Sequence, residues 1–146
     1  MNELLKFGIE SLSKKYDVTL IDCEAGIEQI NRRVINSINT LIMVSDETIK
    51  GLRTAVYLKD IAARYGVAGR HRTGLVINKV RKGNEALRRR AEEMELPFLG
   101  MIPLDENVAD FDYHGRPTIE LPDNSPGLVA VRRILEMLDA GRIGIP

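Results

Sequence analysis

Four positions in this chain could do chemistry together, and each stands at the end of a short apolar run. Val18-Thr19-Leu20-Ile21 leads into Asp22, Thr40-Leu41-Ile42-Met43-Val44 into Ser45, Leu75-Val76-Ile77 into Asn78, and Phe98-Leu99-Gly100-Met101-Ile102 into Pro103. A buried strand holds its terminal residue rigidly, and a carboxylate placed like Asp22 can position a Mg²⁺ ion, usually through water. Asp22 opens the segment Asp22-Cys23-Glu24-Ala25-Gly26-Ile27-Glu28. Gly26, with no Cβ, can bring its backbone N–H against a terminal phosphate, and a plain strand-to-helix turn would use the same residue. Asn78 presents one donor and one acceptor side by side, which matches the N6/N7 edge of adenine. An asparagine capping a turn is the ordinary alternative. Pro103, taken alone, is a strand terminator.

These residues need a scaffold that brings strand ends together. The four runs are short, and the first three are rich in β-branched residues, as strands covered on both faces are. Helical stripes lie between them. Leu5, Ile9, Leu12 and Tyr16 build one before the first run; Ile49, Leu52, Val56 and Ala63 build a longer one. Ser45 or Asp46 is expected to cap that longer helix and Gly66 to end it. Leu87, Ala91 and Met94 follow, with Asn84 as the cap and Pro97 as the stop. Leu128, Val131, Leu135 and Leu138 form the last stripe, where Ser125 reads as a cap and Pro126 as a first-turn proline. Strands alternating with helices predict an α/β fold with a parallel sheet flanked by helices, as a single domain over 1–146. In such sheets, ligands sit at the carboxyl ends of the strands. The segment 112–126, with Gly115, Pro117, Pro122 and Pro126, reads as an ordered excursion over the sheet edge.

Composition narrows the function classes. The 146 residues are 44% hydrophobic and 29% charged, enough to bury a core. Lys plus Arg and Asp plus Glu number 21 each, so no bulk charge draws nucleic acid or anionic lipid. Cys23 is the one cysteine, which rules out an intramolecular disulfide and suits a cytoplasmic setting. No run approaches about 20 apolar residues, so no membrane helix is expected. His71 and His114 lack ligand spacing, and Cys23 reads as a turn residue rather than a metal ligand. Arg88-Arg89-Arg90 stand beside Glu92, Glu93 and Glu95 as an ordinary charged helix surface.

The segment Asp22 to Glu28 resembles the switch II region of MinD/ParA-type P-loop ATPases, which usually read D-x-P-A-G. Glu24 in place of that proline is similar to the subgroup that matures nickel-dependent carbon monoxide dehydrogenase, typically D-x-E-A-G-[IM]-E. Gly100-Met101-Ile102-Pro103-Leu104-Asp105 resembles the family's G-x-I-P-x-D. The resemblance covers nearly the whole chain. It implies that Asp22 organises Mg²⁺ and Gly26 senses the γ-phosphate, the two catalytic candidates. It further implies that Asn78 contacts adenine, that the backbone at Pro103 lines the base pocket, and that ATP or ADP with Mg²⁺ is the cofactor. In such an ATPase, Mg·ATP closes a dimer and hydrolysis opens it to drive metal insertion.

The family's phosphate-binding loop, K-G-G-x-G-K-[ST], does not occur within these 146 residues. That loop supplies the N–H cradle and the lysines that neutralise triphosphate charge. The chain is therefore expected to correspond to the C-terminal part of such an ATPase. Alone it should bind nucleotide weakly or not at all, and should not hydrolyse ATP. The strand that carries the loop is central in the family's sheet, so self-association or a complementing chain is expected, with a metalloenzyme as client. Two rivals remain. One is a partition or division-site ATPase of the same superfamily, disfavoured by a glycine-rich, weakly basic tail, Asp139 to Pro146. The other is a non-catalytic dimerisation module.

Overall fold

The structure, a computed structural model, describes residues 7–8, 11–12, 14–23, 40–64, 72–81 and 84–139. Among these residues three strands form a parallel sheet in the order β1-β2-β3: β1 is Thr40–Ser45, β2 Arg72–Val80 and β3 Phe98–Pro103. Helix α1 (Ile49–Arg64) joins β1 to β2, and α2 (Asn84–Glu93) joins β2 to β3. Helix α3 (Glu106–Tyr113), a 3₁₀ turn (Thr118–Glu120) and α4 (Pro126–Asp139) follow. This is the expected α/β architecture.

Apolar burial on both faces explains the layers. On one face, Leu52 and Ala55 of α1 and Ala91 of α2 pack on Met43, Leu75, Ile77 and Val80. On the other, Ile134 of α4 packs on Val76 and Leu99. Leu52, Leu75 and Ile77 are fully buried, each contributing about 1.5–3 kcal/mol over an exposed position. Two details of the stripes differ from the sequence reading. Ala62 rather than Ala63 faces the core, and Ile134 is buried while Leu135 stays half exposed. A stripe of 3.6-residue period has two solutions one residue apart, and the crossing of helix over sheet selects between them.

The first apolar run departs from expectation. Val18 to Ile21 and Asp22 carry no strand, and Val18 and Leu20 are 83% and 89% exposed. A strand exists only where a neighbour completes its ladder. Among the described residues no strand pairs with this run. β1 has an open side for the same reason. It pairs only with β2 among the described residues, and Val44 is 64% exposed. Thr40–Ser45 contains no Lys, Pro or charge of the kind that protects natural edges, so its composition is that of an interior strand. Residues 7–8 and 11–12 are helical, in line with the first stripe. The helix expected between residues 24 and 39, with Arg32 and Arg33, lies outside the described residues, as does Gly66.

Helix ends are set by the partners their terminal backbone groups find, a side chain at the start of α1 and the backbone at the end of α2. Thr48, not Ser45 or Asp46, caps α1: its Oγ1 accepts from Gly51 N–H at 3.0 Å. Helix α2 ends in a Schellman turn. Leu96 N–H donates to Ala91 O and Glu95 N–H to Glu92 O, both at 2.9 Å. Glu95 has φ 54°, a left-handed conformation that costs an L-residue about 1–2 kcal/mol. Glu95→Gly is therefore expected to raise stability by about 1 kcal/mol, read as a higher urea midpoint with unchanged slope. An unchanged or lowered midpoint would show that the turn is already relaxed.

Candidate functional site

The rim formed by the carboxyl ends of β1, β2 and β3 gathers three polar loops. Parallel pairing enforces this: Ser45 lies opposite Ile77, and Val80 opposite Pro103. Hydrogen bonds lock the loops together. Glu47 Oε2 accepts from Arg81 N–H at 2.9 Å, and Leu104 N–H donates to Val80 O at 2.9 Å. After β1, Asp46 Oδ1 accepts from Thr48 N–H at 3.0 Å and from Thr48 Oγ1 at 2.6 Å. The Thr48 hydroxyl, then the Thr48 N–H, hold the Asp46 carboxyl below its usual value. Gly51 allows α1 to start this close to the strand end, since a Cβ there would run into Asp46 and Ser45.

Asn78 stands at a bulge. The register between β2 and β3 slips between Ile77 and Val80, and Lys79 has φ 56°. The Asn78 Oδ1 accepts from Lys79 N–H at 2.9 Å, which engages its acceptor. A left-handed lysine on a strand is strained, and strained backbone of this kind collects at sites that bind.

Asp105, last residue of the Gly100-to-Asp105 motif, has a role the sequence did not reveal. It is 7% exposed and ties two helix starts together. Its Oδ1 accepts from Asn107 N–H at 2.9 Å to cap α3, and its Oδ2 accepts from Gly127 N–H at 2.8 Å at the start of α4. The fully buried Ser125 hydroxyl donates to the same Oδ2. Ser125 thus spends its hydroxyl on Asp105, and Asp105 takes the α4 N–H that Ser125 was expected to take. Burial pushes the Asp105 carboxyl up. The bonds from Ser125, Gly127, Asn107 and Val108 outweigh it and hold the group below its usual value.

Between β2, β3 and α4 lies an open cleft of about 200 Å³, lined by Val80, Met101, Pro103, Pro126, Val129, Ala130 and Arg133. A second hollow of about 340 Å³ lies beside β1 and the start of α1, with Ser45, Asp46, Thr48, Lys50 and Thr54 among its walls. Pro103 lines the first cleft. Asn78 is on the same rim but not among its walls. Arg133 is, and neither periodicity nor motif pointed to it.

The phosphate-side candidates stand differently. Asp22 is exposed and off any strand, and Gly26 lies outside the described residues. Cys23 is a free, exposed cysteine whose thiol is pushed up by partial desolvation and then by the Asp22 carboxylate, away from thiolate chemistry at neutral pH. Among the described residues there is no cluster of three or more His, Cys, Asp or Glu side chains that could hold a metal by itself. Asp22 offers the single carboxylate that Mg²⁺ needs when phosphates supply its other ligands. Among the described residues no helix is long and apolar enough to cross a membrane.

Comparison with known proteins agrees with this fold. The family described as the CobQ/CobB/MinD/ParA nucleotide binding domain matches residues 9–119. An uncharacterized ATP-binding protein of Methanocaldococcus jannaschii is 31% identical over 139 residues, which is 94% of this chain and 54% of the relative. The carbon monoxide dehydrogenase accessory protein CooC of Rhodospirillum rubrum is 30% identical over 111 residues, 75% of this chain and 41% of that protein. The septum site-determining protein MinD of Pyrococcus horikoshii, solved with Mg-ADP, shares the fold at a TM-score of 0.74 and 23% identity. The match covers 100% of this chain and 60% of that one. The chain spans about half the length of the curated relatives it matches.

Proposed function

The chain belongs to the CobQ/CobB/MinD/ParA nucleotide-binding domain family, and from that premise we propose that it is the base-binding part of an ATPase serving a metalloenzyme, of the carbon monoxide dehydrogenase accessory kind. One observation carries the nucleotide reading. Among the described residues three parallel strands end on a single rim, with Asn78 in the slip between Ile77 and Val80 at the end of β2, and Pro103, opposite Val80 at the end of β3, walling a cleft. Asn78 contributes hydrogen bonds to adenine and Pro103 a flat wall. Asp22 and Gly26 serve the phosphates. Asp22 would hold Mg²⁺ through water, and the ion would supply charge neutralisation to the phosphates.

In this reading, the strand that completes the open side of β1, together with the glycine-rich loop, comes from polypeptide beyond these 146 residues or from a complementing chain. The interior-type composition of β1 and the chain's coverage of its relatives support it. The client role rests on Glu24 within the Asp22-to-Glu28 segment and on the similarity to CooC. The fold likeness to MinD equally fits a division-site ATPase; tight binding to anionic vesicles would favour that reading over a metalloenzyme client.

Calorimetric titration tests the core of the proposal. Mg·ADP is expected to bind the chain weakly, with Kd on the order of 1 mM, because base contacts act without the phosphate cradle. Asn78→Ala should weaken that binding by about 3- to 10-fold, the worth of one or two hydrogen bonds. Absence of heat at millimolar nucleotide would leave a non-catalytic interaction module as the function.

A further inference from the structure

The cleft between β2, β3 and α4 suits a flat, uncharged ring. All of its walls but one are apolar. At about 200 Å³ it is smaller than the roughly 300–1,000 Å³ that accommodate whole drug-sized ligands, so it takes a single ring system. A phosphate is a poor occupant. The helix start at its edge, that of α4, already holds the Asp105 carboxylate through Gly127 N–H at 2.8 Å, and a second anion there would meet like charge.

Arg133 is the exception among the walls. Pro126, Val129, Ala130 and Arg133 are spaced three, four and seven apart, so they form one stripe of α4 facing the cleft. The adjacent Arg132 is tied to Asp123 Oδ1 at 2.6 Å. Arg133 is exposed and, among the described residues, forms no ion pair. A guanidinium set beside an apolar slot is suited to stack on the face of an aromatic ring.

We propose that Arg133 is a base-contact residue: its guanidinium lies over the purine ring while the apolar walls around Pro103 take the opposite face. This rests on the nucleotide reading above and extends it to the group that holds the base. The sequence gives no hint of it, because Arg133 stands in an ordinary-looking charged helix.

The test is an NMR titration of the chain with adenosine and, separately, AMP, following the methyl groups of Val80, Met101, Val129 and Ala130. Both ligands are expected to shift these methyls. R133A should weaken both by the same factor, about 3- to 10-fold, with thermal stability unchanged because the side chain is exposed. R133K, which keeps charge but not the plane, should fall between. Equal adenosine affinity in the parent chain and R133A overturns the inference while nucleotide binding stands. A loss confined to AMP overturns it too, assigning Arg133 to the phosphate. Absence of shifts with either ligand in the parent chain overturns the nucleotide reading and the inference with it.

Discussion

Asp105→Ala is expected to destabilise the chain by about 3 kcal/mol and to lower its melting temperature by roughly 10 °C. The reasoning is local. One carboxylate caps α3 through Asn107, holds the first turn of α4 through Gly127 and accepts the buried Ser125 hydroxyl. Losing one helix cap costs about 1 kcal/mol, and leaving a buried donor unpaired costs about 1–3 kcal/mol. The three bonds share one group, so their losses do not simply add. Urea unfolding followed by circular dichroism measures the effect. A loss below about 1 kcal/mol would show that water replaces the carboxylate and that Asp105 does not join the two helices.

The same residue gives a pH signature whose sign is fixed. The Asp105 carboxyl titrates below its ordinary value in the folded chain. Its contribution is therefore fully present above the unfolded-state pKa, about 3.9, and is lost as pH falls through the lower native value. Stability of the parent chain should fall in acid over that window. Asp105→Asn, with nothing to titrate, should be less stable at neutral pH and flatter below pH 4.

Ala130→Trp is expected to leave the fold intact and to weaken ADP binding by at least about 10-fold. Ala130 is half-buried on the cleft-facing stripe of α4. An indole grown from it enters the cleft rather than the core, which centres on Ile134, Val76 and Leu99. Filling a preformed slot removes both the apolar contact and the room for the base. The comparison is calorimetric, against Ala130→Ser, which leaves the slot open. Unchanged ADP affinity in the tryptophan variant would place the base elsewhere on the rim, nearest the hollow beside β1. Loss in both variants would point to damage of α4 instead.

Strand and helix placement were legible because burial on two faces leaves a mark in the chain, whereas the order β1-β2-β3 emerged only with the structure. Continuous apolar runs at Leu41 to Val44, Leu75 to Ile77 and Phe98 to Ile102 became β1, β2 and β3, and the stripes around Leu52 and Ala91 became α1 and α2. The run at Val18 to Ile21 carries the same mark and forms no strand, since a run records a demand for neighbours and not their supply. The caps were misread for a related reason. Ser45, Asp46 and Ser125 are all cap-forming types, and which hydroxyl or carboxylate meets which N–H depends on how loops fold back on the rim.

By itself, the sequence determined that Asn78 and Pro103 would share one edge: apolar runs of like length, joined by helices, force parallel strands whose carboxyl ends coincide. Only the tertiary structure decided that Asp105 would bind two helix starts and that Arg133 would face a cleft beside Pro103. Asp105 and Ser125, like Pro103 and Arg133, lie far apart along the chain. No periodicity or motif encodes their distance, and packing α4 across the sheet is what brings them together.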